Sequence, residues 1–233
     1  MTIPKIIHQV WEGRTESKMP TRLKFLAQTW KDCNPNWEYH LWNGDEMDSL
    51  VATFFSKYSS MYKNFSHNVQ RWDTIRYMIL NQYGGVYADL DSECFRPIET
   101  LMDDVVMGFG EEPPLNETKP TRIGNALMAS KKECKGWIVI LNEILSKVEK
   151  KESAVETVMN STGPNMINHL YPLLEREYGA CSFSYTQVTP VSKYDMYRYI
   201  YQGERSLFHS KIEQAFCAHY FFGSWDDGLS LYI

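Results

Sequence analysis

Apolar positions along this chain follow two periods that alternate. Residues 5–11 gather Ile6, Ile7, Val10 and Trp11 into a short run of β-branched and aromatic bulk, the pattern of a buried strand. From Pro20 the spacing changes. Leu23, Leu26, Ala27 and Trp30 fall at i, i+3, i+4 and i+7, one face of a helix that Cys33-Asn34-Pro35-Asn36 breaks. Residues 37–42 predict a second strand followed by a turn at Asn43-Gly44. Residues 47–58 predict a helix with Leu50, Val51, Phe54 and Phe55 inward. Another helix, 67–83, ends where Gly84-Gly85 supplies a C-cap, and 86–88 is a third strand.

Further strands are expected at 103–109 and 126–130, with 111–116 as a loop between them. Helices follow at 135–150, with Trp137, Ile138, Ile140, Leu141 and Ile144 inside, and at 165–178 after Gly163-Pro164. The remainder reads as short strands and aromatic-rich loops. The alternation predicts an α/β chain whose mixed, mostly parallel sheet is flanked by helices, in one domain spanning 1–233.

The composition suits a packed core: 43% of the residues are hydrophobic and 23% charged. A formal net charge of -5 argues against nonspecific binding of nucleic acid. The five cysteines are odd in number, widely spaced and without a Cys-x-x-Cys, which speaks against a zinc site or a disulfide framework and suits a reducing compartment. The first residues lead straight into a strand rather than into a signal peptide. No apolar run approaches the ~20 residues of a membrane span. The expected location is cytoplasmic, at most peripheral to a membrane. The 7 Trp and 15 Tyr suit stacking on sugars or bases as well as ordinary cores.

Candidate chemistry concentrates at Tyr87-Ala88-Asp89-Leu90-Asp91. Two carboxylates at i and i+2 follow a glycine break and a short strand, and ligands of open α/β sheets bind at the carboxyl ends of strands. Such a pair can hold a divalent cation and leave most of its shell to diphosphate oxygens and water. One helix upstream, Asp73 and Arg76 are i, i+3 neighbours. They form either an ordinary intrahelical ion pair or a pair of groups for sugar hydroxyls and phosphate oxygens.

Several segments, in order, resemble glycosyltransferase family 32, the DXD-motif sugar transferases that include Och1-like mannosyltransferases. They are Ile3-Pro4-Lys5-Ile6-Ile7-His8-Gln9-Val10-Trp11, Asn34-Pro35 before Trp37-Glu38-Tyr39, Arg71-x-Asp73-x-x-Arg76-Tyr77, and Tyr83-Gly84-Gly85-Val86-Tyr87-Ala88-Asp89-Leu90-Asp91. The same elements look like those of the clostridial glucosylating toxins. The resemblance implies a GT-A fold, Rossmann-like, that binds a nucleotide sugar and retains anomeric configuration. It implies Asp91 as a metal ligand and Asp89 as a contact to ribose or donor sugar. It also implies Asp73 and Arg76 on the donor sugar, and Val10 and Trp11 beside the base, where Trp11 is either a stacking platform or a buried ring.

The late segment Cys217-Ala218-His219-Tyr220-Phe221-Phe222-Gly223-Ser224-Trp225 resembles the family's closing motif. It offers His219 as a further ligand, favouring manganese over magnesium, and Ser224 and Trp225 as donors to the leaving phosphate from a closing lid. Asn125 and Gly163 match family positions near the donor and the acceptor side. The expected reaction is hexose transfer from a nucleotide diphosphate sugar, a UDP-sugar first and GDP-mannose second. The expected acceptor is a hydroxyl of a saccharide or lipid-linked saccharide, in polysaccharide synthesis. Asp89, Asp91, Arg76 and Trp225 carry the catalysis in this reading; Glu111 or Glu112 lies in a loop that could reach the site, but an ordinary exposed loop is the stronger reading, and the sequence identifies no enzymic nucleophile. The competing readings are a metal-dependent phosphoesterase and a noncatalytic nucleotide-sugar-binding protein.

Overall fold

A computed structural model describes residues 2–12, 18–114, 118–147, 154–203 and 205–222. The chain opens with β1 (Ile6–Val10), α1 (Thr21–Cys33), β2 (Glu38–Trp42), α2 (Gly44–Phe54), α3 (Ser59–Lys63) and α4 (Asn68–Tyr83). β3 (Gly85–Ala88), β4 (Ser92–Cys94), β5 (Met107–Glu112) and β6 (Arg122–Ser130) follow, then α5 (Lys135–Lys147), α6 (Ala154–Ser161) and α7 (Pro164–Tyr178). β7 (Ala180–Phe183), α8 (Tyr185–Val188), α9 (Lys193–Gln202), α10 (Arg205–Ile212) and β8 (Cys217–His219) complete the order.

Six strands form one sheet in the order β2-β1-β3-β6-β5-β7. β1 pairs in parallel with β2 and β3, and β5 with β7, while β6 runs antiparallel between β3 and β5. Tyr77, Met78, Trp137, Ile140, Leu141, Ile167 and Leu174 bring α4, α5 and α7 onto a core that includes Tyr87, Phe109 and Met128. Trp30 of α1 joins Ile7, Val86, Ala129, Phe183 and Val188 in a second core. A sheet covered in this way needs apolar residues at successive strand positions, which explains the unbroken run Val86-Tyr87-Ala88.

Gly84 and Gly85 let α4 turn directly into β3. Gly85 has φ +92, and a Cβ there would lie 2.5 Å from the Ile6 carbonyl oxygen. His8 of β1 locks the same corner. Its buried ring bonds the Gly84 carbonyl through Nε2 at 2.9 Å and accepts the Trp42 indole N–H on Nδ1 at 3.2 Å.

A second, two-stranded ribbon pairs β4 with β8, setting Ser92 opposite His219. Trp30, fully buried, anchors it by donating its indole N–H to the Ser92 carbonyl. The five cysteines are free thiols. Among the described residues, no helix is long and apolar enough to cross a membrane.

Several elements differ from the sequence expectation. Asn43 is a helix cap rather than part of a turn: its side chain accepts the Glu46 N–H while Glu46 accepts the Asn43 N–H. α2 stops at Phe54, which is 51% exposed, and Phe55 breaks the helix before a 3-10 turn at Ser56–Tyr58. β5 begins later than expected because Asp104 turns at φ 58, and it extends through Glu111 and Glu112, which pair with Ile123 and Arg122 beyond a bulge. Ile138 is only partly buried. The C-terminal stretch holds three helices, with Met196 and Phe208 buried while Tyr194 and Tyr197 are exposed. Its tyrosines hid this amphipathic pattern.

The locked corner predicts a pH dependence. Burial holds the His8 imidazole down at about 4 against its usual 6.5. The unfolded chain therefore takes up a proton below 6.5 that the folded chain refuses. Stability should fall as pH drops from 6.5 towards 4, by up to about 3 kcal/mol. Urea midpoints at about pH 7.5 and about pH 5 should differ less in His8→Asn than in the parent; equal differences would remove His8 from the acid response.

Candidate functional site

The carboxyl end of β3 is where charge accumulates. Asp89 and Asp91 follow the strand directly, and the Asp89 N–H donates to the Ala126 carbonyl, extending the β3–β6 pairing to the first acid. Gln9 and Ser92 donate to the Asp89 carbonyl at 3.1 and 2.5 Å. The Asp89 backbone is thereby fixed from three sides.

Its side chain is divided between two tasks. Oδ1 accepts the Tyr87 hydroxyl at 2.7 Å and meets Arg76 Nη1 at 3.0 Å. Oδ2 lies 3.8 Å from Nε2 of His219. Asp91 is split likewise: Oδ1 lies 3.1 Å from the same imidazole nitrogen, and Oδ2 accepts the Phe222 N–H at 2.8 Å. One ligand atom from each of Asp89, Asp91 and His219 falls within 4.8 Å of the others. The β4–β8 ribbon makes this possible by carrying Asp91 into one strand and His219 at the end of the other.

Behind the acids lies a buried network. Arg76 reaches Asp73 through Nη2 at 3.1 Å, the Asn125 carbonyl through Nη1 at 2.8 Å and the Trp72 carbonyl through Nε at 3.2 Å. Its guanidinium lies 4.8 Å from the centre of the Tyr87 ring. Asp73 also accepts from Asn125 and from the Thr162 hydroxyl, each at 3.0 Å, and Asn125 donates to the Tyr77 hydroxyl as well. The ion pair foreseen on the helix is therefore real, and it joins a chain running from Thr162 through Asp73 and Arg76 to Asp89. Gly163 sits one residue beyond Thr162, buried at the N-cap of α7.

The electrostatics follow. Burial and the Asp91 charge pull the His219 imidazolium in opposite directions. Asp91, its hydrogen bond, Asp89 and Glu112 prevail and hold it at about 9. Asp91 is held below the usual carboxylate range, because His219 and the Phe222 N–H outweigh its burial. Burial pushes Asp73 up, against the pull of Arg76.

His219 leaves Nδ1 buried with no hydrogen-bond partner among the described residues. Two carboxylates and an imidazole sharing one focus form a donor set that suits a divalent transition ion. The residues present therefore fit such a cation. Phe221, with φ 53 in the left-handed region, places its ring 4.1 Å from the His219 ring.

Of the other residues singled out from sequence, Val10 packs against the core on the α4 side of the sheet. Trp11 packs on the cluster of Met19, Leu23, Leu90 and Phe222, next to the middle residue of the carboxylate motif. Ser224 and Trp225 lie outside the described residues. Glu111 bonds Ser182 and the Tyr185 N–H, away from the acids. Glu112 is half-buried with His219 and Asp89 among its charged neighbours, and burial pushes its carboxyl up. The expected exposed loop hid it; it lies instead on β5, beyond the bulge after Phe109.

Comparison with known proteins accords with this geometry. Residues 20–107 match the model of the glycosyltransferase sugar-binding region containing a DXD motif. The chain is 29% identical over 169 residues to inositol phosphoceramide mannosyltransferase 3 of Schizosaccharomyces pombe, covering 72% of this chain and 45% of that protein. It is 28% identical over 174 residues to the mannosyl phosphorylinositol ceramide synthase CSH1 of Saccharomyces cerevisiae, covering 75% and 44%. The chain spans about half the length of the curated relatives it matches. Among solved structures, the PaToxG glycosyltransferase superposes with a TM-score of 0.57 at 18% identity, covering 74% of this chain and 70% of that one. That likeness shows the fold, which is GT-A. Motifs, relatives and the match over residues 20–107 bear out the resemblance to the DXD-motif glycosyltransferases of family 32 that the sequence suggested.

Proposed function

We propose that this chain transfers a hexose from a nucleotide diphosphate sugar to an acceptor hydroxyl, with a divalent metal ion, manganese for preference, held by Asp91 and His219 with Asp89 beside it. The observation that carries the reading is the convergence of Asp89, Asp91 and His219 within 4.8 Å at a strand end. Bound there, the cation supplies Lewis-acid neutralisation of the departing diphosphate.

The protein's own groups do the rest. Arg76 holds Asp89 in place, and the Phe222 N–H orients Asp91. Val10 and Trp11, at the end of β1, line the side assigned to the base. Ser224 and Trp225 donate hydrogen bonds to the leaving phosphate. Asp73, Asn125 and Gly163 belong to the donor wall, with Asp73 and Asn125 acting through Arg76. Attack from the face the leaving group vacates retains configuration, the departing phosphate oxygen taking the acceptor's proton. The relatives named for mannosyl transfer bring mannose forward as the hexose, and GDP-mannose ahead of UDP-sugars as the donor. Their names also bring an inositol phosphoceramide lipid beside saccharides as the acceptor. We place the whole chain in one GT-A domain working at or near a membrane surface.

A donor panel assayed by nucleotide release, with and without manganese, tests the reading. Metal-dependent release from a nucleotide sugar is expected; hydrolysis of phosphoesters without sugar transfer would favour a phosphoesterase, and binding without turnover a noncatalytic role. Asp91→Ala should lower kcat by at least about a hundredfold with a melting temperature within about 4 °C of the parent. Parental turnover in that variant would remove Asp91 from the metal site. His219→Ala should raise the manganese concentration needed for half-maximal rate by about ten- to a hundredfold; an unchanged metal titration would exclude His219.

A further inference from the structure

Glu112 lies at the end of β5, opposite Arg122 in the register with β6. Its side chain lies across Gly124, where a Cβ would come within 3.1 Å of its Cγ and of its Oε1. The missing side chain at Gly124 is thus the space the carboxylate occupies. Asn125, the next residue, binds both Asp73 and Arg76. Charged groups near Glu112 among the described residues include His219, Arg122, Asp89 and Lys193. Among the described residues no hydrogen-bond donor is seated on it, whereas Asp73, Asp89 and Asp91 each hold at least two. It is also not one of the three groups that share a focus.

Its position across the sheet indicates what it meets. The base is assigned to β1 and the diphosphate to the end of β3 in the reading above, on which this inference rests. With strands about 4.8 Å apart, β5 lies two strands beyond β3, roughly 10 Å further from the base. Beyond the diphosphate come the hexose and then the acceptor, both rich in hydroxyls. An ionised carboxylate is an acceptor with several lone-pair sites, and a hydroxyl is the donor that such a wall meets there.

We propose that Glu112 is a substrate-binding residue that accepts a hydrogen bond from a sugar hydroxyl, of the hexose or of the acceptor, on the side of the cation away from the base. Gly124 is its positioning residue.

The experiment compares the parent chain with Glu112→Gln and Gly124→Ala, using the nucleotide sugar that the panel identifies. It measures donor hydrolysis without acceptor, transfer with acceptor, and manganese affinity by electron paramagnetic resonance. Glu112→Gln should lower kcat/KM by about 10- to 100-fold, the range for hydrogen bonds to charged groups, with manganese affinity unchanged. Gly124→Ala, which moves the carboxylate without removing it, should act in the same direction and less strongly. A loss in both reactions assigns the hydroxyl to the hexose; a loss in transfer alone assigns it to the acceptor. Parental rates in both variants, or losses that vanish at saturating manganese, would overturn the proposal. A parent chain silent with every donor would sink the site reading itself, and this inference with it.

Discussion

Everything at this site depends on how its negative charge is balanced. Asp73, Asp89, Asp91 and Glu112 gather at one end of the sheet, by the carboxyl ends of β3 and β5, where isolated carboxylates would be costly to bury. Arg76 neutralises the inner half by bridging Asp73 and Asp89 within hydrogen-bonding distance of both. Asn125, Thr162 and Tyr87 supply the further donors that a buried ion pair needs in order to persist. In the outer half Arg122 and Lys193 lie near Glu112, while the His219 proton supplies the charge opposing Asp91 and Asp89 in the metal-free protein. A cation at the same focus would take over that role. The architecture therefore separates a fixed positive charge that organises the site from an exchangeable one that works in it.

The ribbon is the second requirement. Asp91 and His219 are 128 residues apart in the chain, and the pairing of β4 with β8, continued by the Tyr220 and Phe222 N–H groups on Asp91, joins them. Trp30 holds one strand by its indole, and Cys94 and Cys217 face each other further along. Such a long-range contact carries a loop-closure cost that local pairings avoid. The inner half is built from α4, β3 and β6 and belongs to the core itself.

This division explains what the sequence made legible. The turn from α4 into β3 could be read directly, because glycines, strand bulk and two acids lie within a few residues of one another. The role of Arg76 was read only halfway. Its i, i+3 partner Asp73 is local, whereas Asp89 becomes its neighbour through the turn at Gly84-Gly85. His219 entered through resemblance alone, since no spacing connects it to Asp91. Glu112 was masked by two prolines that follow it and by a bulge no periodicity reports. The C-terminal helices were lost because their buried positions are few among many tyrosines, so composition obscured period.

The shared-cation account is tested most directly by pulsed electron-nuclear double resonance on the manganese-loaded chain. It predicts a nitrogen coupling that changes isotope when the histidines are labelled with nitrogen-15 and disappears in His219→Gln. A spectrum without nitrogen coupling, or one that survives that substitution, would contradict it.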